Sequence, residues 1–377
     1  SPLTDWDRYN TYDSVNDVYV SENATTTVFE KGKGYSIRCP NTTSAITPTV
    51  IPHQFVGVPN NGSFTVALTT PPSDIGLSLI GNPYPSAIHA QDFILENLYD
   101  ATLNPTNTLN GTLYFWSHNN RISGNDFSAD DYYTYNLPGG VGYATSVTGN
   151  NSAPTDYIAS GQGFFVENVV AGDLKFNNTM REPKDNTNFY RTKKTKKVTD
   201  LERHRIWLNI TDSALTTGNQ TMVGYIENAT NGYESGYDSY VYDDTKPLLI
   251  YSMLGTETMA IQGRALPFLD ADTVPLGYYT KVADNVTISI NNLDGVFLDN
   301  QGVYLEDKLL NVIFDIKSDP YVFASAAGTF NDRFVLRYTD TALGTKTFNS
   351  NEKTVLVSVK SKQIKIYSDL ESIDKVM

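Results

Sequence analysis

The chain holds 377 residues, with 42 acidic against 28 basic side chains and a formal net charge of −14. That field repels nucleic acid and anionic lipid, which excludes both as expected partners. A single cysteine, Cys39, rules out an intrachain disulfide, and no apolar run approaches the ~18 residues of a transmembrane helix.

Charged residues make up only 19%, and the polar remainder is rich in Asn, Thr, Ser, Gly and Tyr, a mixture that favours strands and turns over helices. The first predicted strand follows Gly32-Lys33-Gly34 and places Tyr35, Ile37 and Cys39 on one inward face. Further strands are expected at Phe64–Leu68, Thr112–Trp116 and Phe164–Val166. Turns at Pro71-Pro72, Asn82-Pro83-Tyr84-Pro85 and Pro138-Gly139-Gly140 separate them, and His89 to Leu98 is the one helical stretch. Gly161-Gln162-Gly163 looks at first like a phosphate loop. It lacks the third glycine and the following helix, so it reads, like Gly32-Lys33-Gly34, as the start of a strand, here with Phe164 and Val166 inward.

Residues 1–182 therefore read as a β-sandwich or jelly roll. Residues 183–202 read as a polar linker whose basic run, Arg191 to Lys197, is a solvated loop. From 203 to 345 the alternation resumes, with Ile206, Leu208 and Ile210 on one face, then Val286, Ile288 and Ile290, then Phe334, Leu336 and Tyr338. A second β-sandwich follows. In 346–377, Val355, Val357 and Val359 followed by Ile364 and Ile366 form two strands, too few for a domain, so they are expected to open a third. The fold class is all-β: two tandem sandwiches and the first strands of another.

The common catalytic signatures are missing, with no His-Glu-x-x-His, Gly-x-Ser-x-Gly or Walker loop, and the four histidines lack ligand spacing. A non-catalytic protein is expected. Calcium is the candidate ion, since loop carboxylates suit a hard cation. Its candidate ligands are Asp238 with Asp243 and Asp244, Asp126 with Asp130 and Asp131, and Asp270 with Asp272, none at EF-hand spacing. Among 25 tyrosines, Tyr132 and Tyr133 are candidates for stacking on a sugar ring, against the alternative that they simply alternate along a half-buried strand.

Several stretches taken together carry a resemblance: Gly32 to Tyr35, Leu79 to Ile88 (LIGNPYPSAI), Ser160 to Val166 (SGQGFFV), Glu202 to Asn209, Gly224 to Thr230, Ala260 to Arg264, Val303 to Asp307 (VYLED) and Phe330 to Tyr338 (FNDRFVLRY). As a set they resemble the C-terminal regions of surface and secreted proteins exported by the type 9 secretion system of the Bacteroidota. The resemblance implies that Val355 to Met377 opens an Ig-like sorting domain of the A type. It also implies partners: the outer-membrane translocon and its shuttle and attachment proteins, with surface polysaccharide as a further candidate. The implied location is extracellular, at the cell surface, in an adhesin or gliding-associated protein. It further implies O-glycosylation at Asp-Ser/Thr followed by a small or aliphatic residue, a pattern met at Ser14, Ser213, Thr273 and Thr341. The alternative expectation is a carbohydrate-binding β-sandwich attached to a secreted polysaccharide hydrolase.

Overall fold

Alternating apolar residues dictate strands, and strands dominate the structure. The computed structural model describes residues 9–23, 26–37, 56–69, 76–117, 132–142, 153–182, 201–242 and 246–340, together with the backbone of two strands, Val355–Lys360 and Gln363–Ser368. The fold is all-β with one short helix.

In the first half a five-stranded sheet runs in the spatial order Gly76–Gly81, Gly163–Asn168, Leu109–Trp116, Tyr132–Tyr135, Gly140–Val141, antiparallel throughout. Its inner face supplies Phe164, Val166, Leu113, Phe115 and Tyr135 to the core. The helix Ala90–Asn97 lies under that face because Ala90, Phe93, Ile94 and Asn97 recur at helical spacing, and Phe93 packs edge-on to Phe164 at 5.4 Å. Asn97 ends the helix and anchors it: its Nδ2 donates to the Phe93 carbonyl (2.9 Å) and the Lys175 carbonyl (3.0 Å), while its Oδ1 accepts the Lys175 N–H (2.7 Å). The turn at Asn82-Pro83-Tyr84-Pro85 is held likewise, with the Asn82 amide donating to the carbonyls of Ser86, Ile158 and Ala159.

The two Gly-x-Gly segments flank one strand. Lys33 bridges Ile80 on one side of Gly76–Gly81, and Gly163 pairs with Gly81 on the other. A Cβ on Gly34 would meet the Ile80 carbonyl oxygen at 2.7 Å, so close backbone approach explains that glycine. Phe164 and Val166 face inward as expected, whereas Tyr35 is only half-buried and Ile37 is 40% exposed. The reason is the sheet they join: Ser36–Ile37 is a two-residue edge beside the hairpin Tyr9–Asp13/Val18–Glu22, not a core strand. Cys39 lies outside the described residues.

In the second half a single eleven-stranded sheet curls around one core. Ile206, Leu208 and Ile210 face that core, as do Val286, Ile288, Phe334, Leu336 and Tyr338. Its end strands, Val312–Asp315 and Tyr321–Ser325, come together where Phe314 packs against Tyr321 at 5.1 Å, which leaves the sheet nearly closed. Asp307, fully buried, locks this corner. It accepts hydrogen bonds from Arg333 Nη2 (2.8 Å), Tyr321 Oη (2.8 Å) and the Leu309 N–H (2.9 Å), and the guanidinium lies 4.5 Å from the Phe323 ring centre. Burial alone would raise the Asp307 carboxyl, but the Arg333 and Tyr321 hydrogen bonds hold it below the usual carboxylate value.

Ser1–Asp340 forms one compact unit containing both cores, so the division expected at 183–202 falls between two cores of a single unit. Residues 183–200 lie outside the described ones. Thr341–Met377 is a separate unit, in which Val355–Lys360 and Gln363–Ser368 pair as an antiparallel hairpin from Val355↔Ser368 to Lys360↔Gln363.

Removing one member of a buried ion pair leaves the other charge unpaired, at a cost of about 3–5 kcal/mol. Asp307→Ala is accordingly expected to lower the unfolding free energy by about 3 kcal/mol or more in urea denaturation. A loss below ~1 kcal/mol, the range of exposed pairs, would contradict this role for the corner.

Candidate functional site

The strand Arg203–Thr211 has two faces, and both are used. Ile206, Leu208 and Ile210 enter the second core, while Arg203, Arg205 and Trp207 point the other way and are buried against the first half. Arg203 Nη2 pairs with Asp156 at 3.2 Å, and Tyr135 Oη donates to the same carboxylate at 2.8 Å. Arg205 makes a two-nitrogen contact with Asp294 and donates to the Pro138 carbonyl at 2.5 Å. Its guanidinium lies 4.6 Å from the Trp207 ring centre, and the indole N–H reaches the Gly140 carbonyl at 2.8 Å. Pro138-Gly139-Gly140 is thus the turn that docks one half on the other. Gly139 is required there: at φ +143 a Cβ would meet Arg205 Nη1 at 2.5 Å.

This docking brings the outer face of the five-stranded sheet against the middle strands of the second sheet and forms a cleft between them. Tyr114, Tyr132 and Thr134 line one wall; Asn219, Gln220 and Lys246 line the other. The segment from Tyr233 to Tyr242 crosses the outer face because Gly111 (φ +88) and Gly236 (φ +82) let the backbones touch; a Cβ on Gly111 would meet Gly236 Cα at 2.5 Å. The Ser239 hydroxyl pins it, lying 2.9 Å from Thr112 Oγ1 and accepting from Asn136 Nδ2 at 3.0 Å.

A belt of tyrosines results. Tyr12, Tyr19 and Tyr132 pack edge-on around Phe165, at 4.9, 6.4 and 5.7 Å, with the Tyr19 and Tyr132 hydroxyls 3.0 Å apart. Tyr114 meets Tyr242 at 5.0 Å, and Tyr233 stacks on Tyr240 at 5.0 Å with ring planes 22° apart. Glu167 accepts the Tyr114 hydroxyl at 2.9 Å. Burial first, then neighbouring carboxylate or phenol groups, raise Tyr12, Tyr114, Tyr132 and Tyr240 above the ordinary phenol value, so these phenols are neutral hydrogen-bonding groups at any physiological pH.

The residues singled out in the sequence fare differently. Tyr132 is in the belt, whereas Tyr133, next along the strand, pairs with Phe115 and has its ring buried on the opposite side, though it also borders the cleft. Asp238 is buried, and both of its oxygens are taken: Oδ2 accepts the Glu234 N–H at 2.7 Å and Oδ1 the Gly263 N–H at 2.9 Å. Burial pushes its carboxyl up to about 7, against the lowering effect of those two N–H groups. Asp272 grips Arg264 through two 2.7 Å bonds and accepts Tyr225 Oη at 2.7 Å. Among the described residues no group of three or more His, Cys, Asp or Glu is placed to hold a metal. Asp126, Asp130, Asp131, Asp243 and Asp244 lie outside the described residues.

Of the Asp-Ser/Thr sites, Ser213 and Thr273 are exposed, and Ser14 is half-buried with its Oγ 3.1 Å from Thr69 Oγ1. Each preceding Asp shapes the local backbone: Asp13 accepts the Val15 N–H, Asp212 the Thr216 N–H and Asp272 the Thr273 N–H. The Ser213 hydroxyl donates to Asp284 at 2.8 Å. Thr341 lies outside the described residues.

One family model, described as a domain of unknown function, DUF8693, matches residues 1–338. The chain belongs to this family. No curated protein and no solved structure matches it. The DUF8693 match spans both cores and stops within two residues of Asp340, where the compact unit ends.

Burial alone would raise Asp156, but the Arg203 and Arg205 guanidinium groups, with hydrogen bonds from Tyr135 and Arg203, hold it well below the usual carboxylate range. A depressed folded-state value contributes stability above the unfolded carboxylate value of ~3.9, which is lost as pH falls through the folded one. Stability is expected to fall below about pH 4, with a shallower fall in Asp156→Asn, read from urea midpoints at pH 7, 5, 4 and 3. Identical slopes in both proteins would contradict the assignment.

Proposed function

We propose that this DUF8693 chain is a non-catalytic region of a cell-surface or secreted protein, exported across the outer membrane by the type 9 secretion system. In this reading it is a stalk that spaces a more distal binding region from the cell, in an adhesin or gliding-associated protein. The observation that carries the stalk role is the buried docking of Arg203, Arg205 and Trp207 on the Pro138-Gly139-Gly140 turn, which makes one stiff unit of two β cores. The motif resemblance supplies the export route. It also fits the structure that VYLED and FNDRFVLRY, distant in sequence, meet in one corner as Asp307 and Arg333.

The hairpin Val355–Lys360/Gln363–Ser368 is the reading's start of the sorting domain, and its partners are the translocon and the shuttle and attachment proteins. The acidic surface suits an extracellular chain, and Ser213 and Thr273 offer exposed hydroxyls for O-glycans.

Affinity purification of the native protein through a tag upstream of Ser1 tests the proposal. Recovery of a large outer-membrane β-barrel protein is the expected result, with hexose added at Ser213 or Thr273 in the mass of the purified chain. Recovery from the cell interior, without a barrel partner and without added mass, would overturn it.

A further inference from the structure

The belt of tyrosines is not used by the stalk role, and it is unusual as a surface. Tyr233, Tyr240 and Tyr242 are 43%, 45% and 50% exposed, yet they are ordered in ring pairs with Tyr114 or with one another. Large aromatic rings left grouped at a surface mark an interaction site more often than a packing accident. Gly111 and Gly236 hold the crossing segment against the sheet, so the rings are presented by a fixed backbone.

The chemistry of the cleft selects the occupant. Its rings are phenols held neutral, its walls carry amides and hydroxyls at Asn219, Gln220 and Thr134, and Glu167 stands among the rings. A flat apolar face beside hydroxyl and amide groups matches a pyranose ring, whose C–H face stacks on an aromatic ring while its hydroxyls exchange hydrogen bonds with the rim. Lys246 is one cation in the cleft wall, but Glu167 beside Tyr114 and the chain's net charge of −14 oppose it and disfavour a uronate or sulfated chain. An apolar protein segment fits less well, because Thr134, Asn219, Gln220 and Lys246 stand beside Val141, Val241 and Leu249 in the lining.

We propose that the cleft lined by Tyr114, Tyr132 and Tyr242, with the neighbouring Tyr233/Tyr240 stack, binds a neutral polysaccharide chain through ring stacking. Tyr240 and Tyr242 supply the exposed stacking faces, Tyr114 and Glu167 the polar floor beneath them. The site does not depend on how the protein is exported, so it stands or falls separately from the stalk reading.

Isothermal titration of the purified chain with neutral hexasaccharides of β-1,4-glucan, β-1,3-glucan and α-1,6-mannan tests it, with a hexauronate as the anionic control. Binding of at least one neutral hexasaccharide is expected, weakened about five- to tenfold by Tyr242→Ala and by Tyr240→Ala, the loss of one stacking contact. Both side chains are half exposed, so the variants are expected to melt with the unsubstituted protein. A change in the tyrosine band of the near-ultraviolet circular dichroism of the unsubstituted chain on adding the same glycan provides a readout that needs no variant. Absence of heat with every neutral hexasaccharide, binding untouched by both substitutions, or tighter binding of the hexauronate would each overturn the proposal.

Discussion

The structure depends on one strand having two buried faces. Arg203–Thr211 gives Ile206, Leu208 and Ile210 to one core and Arg203, Arg205 and Trp207 to the boundary with the other. Arginines can serve there because each is neutralised by a carboxylate and finds carbonyl acceptors: Asp156 and Leu137 for Arg203, Asp294 and Pro138 for Arg205. A buried guanidinium without those partners would split the halves apart. With them, the boundary tolerates only one relative placement, because the planar fork fixes direction as well as distance.

That placement creates the surface features. The cleft exists because the outer face of the five-stranded sheet is brought against the second sheet, and the tyrosine belt exists because Gly111 and Gly236 allow a strand-crossing segment to lie flat on that face. The same boundary that joins the two cores therefore shapes this aromatic cleft. A stalk that also holds a polysaccharide chain along its side would couple spacing to adhesion, with both roles resting on a single buried interface.

Much of this was legible in the sequence, and the misses share a cause. Alternation located Phe64–Leu68 at its observed bounds, placed the helix within a residue of Ala90–Asn97 at either end, and identified the inward faces at Ile206, Val286 and Phe334, because burial on one side imposes a period. The same logic leaves the other face unassigned, so nothing local marks Arg203, Arg205 and Trp207 as buried. Only their partners, Asp156, Asp294 and the carbonyls of a proline-glycine turn, reveal burial, and these are tens of residues away. The candidate site was legible only in part for the same reason. The alternation of Tyr132 and Tyr133 puts one in the belt and one in the core, and no local pattern says which. Tyr12, Tyr19, Tyr114 and Tyr242 were missed because their grouping is wholly a product of the tertiary fold, although Tyr240-Val241-Tyr242 carries a visible hint of ring alternation. Asp238 looked like a cation ligand among loop acids; one of its oxygens closes a turn on Glu234 and the other ties that turn to Gly263.

The central claim is that the two cores are one cooperative unit because of this interface. Differential scanning calorimetry of the full chain tests it most directly. The account predicts a single unfolding transition for both cores, with calorimetric and van't Hoff enthalpies in agreement. Two resolved transitions, one carried by each core, would show that the arginine-lined boundary merely decorates two independent domains.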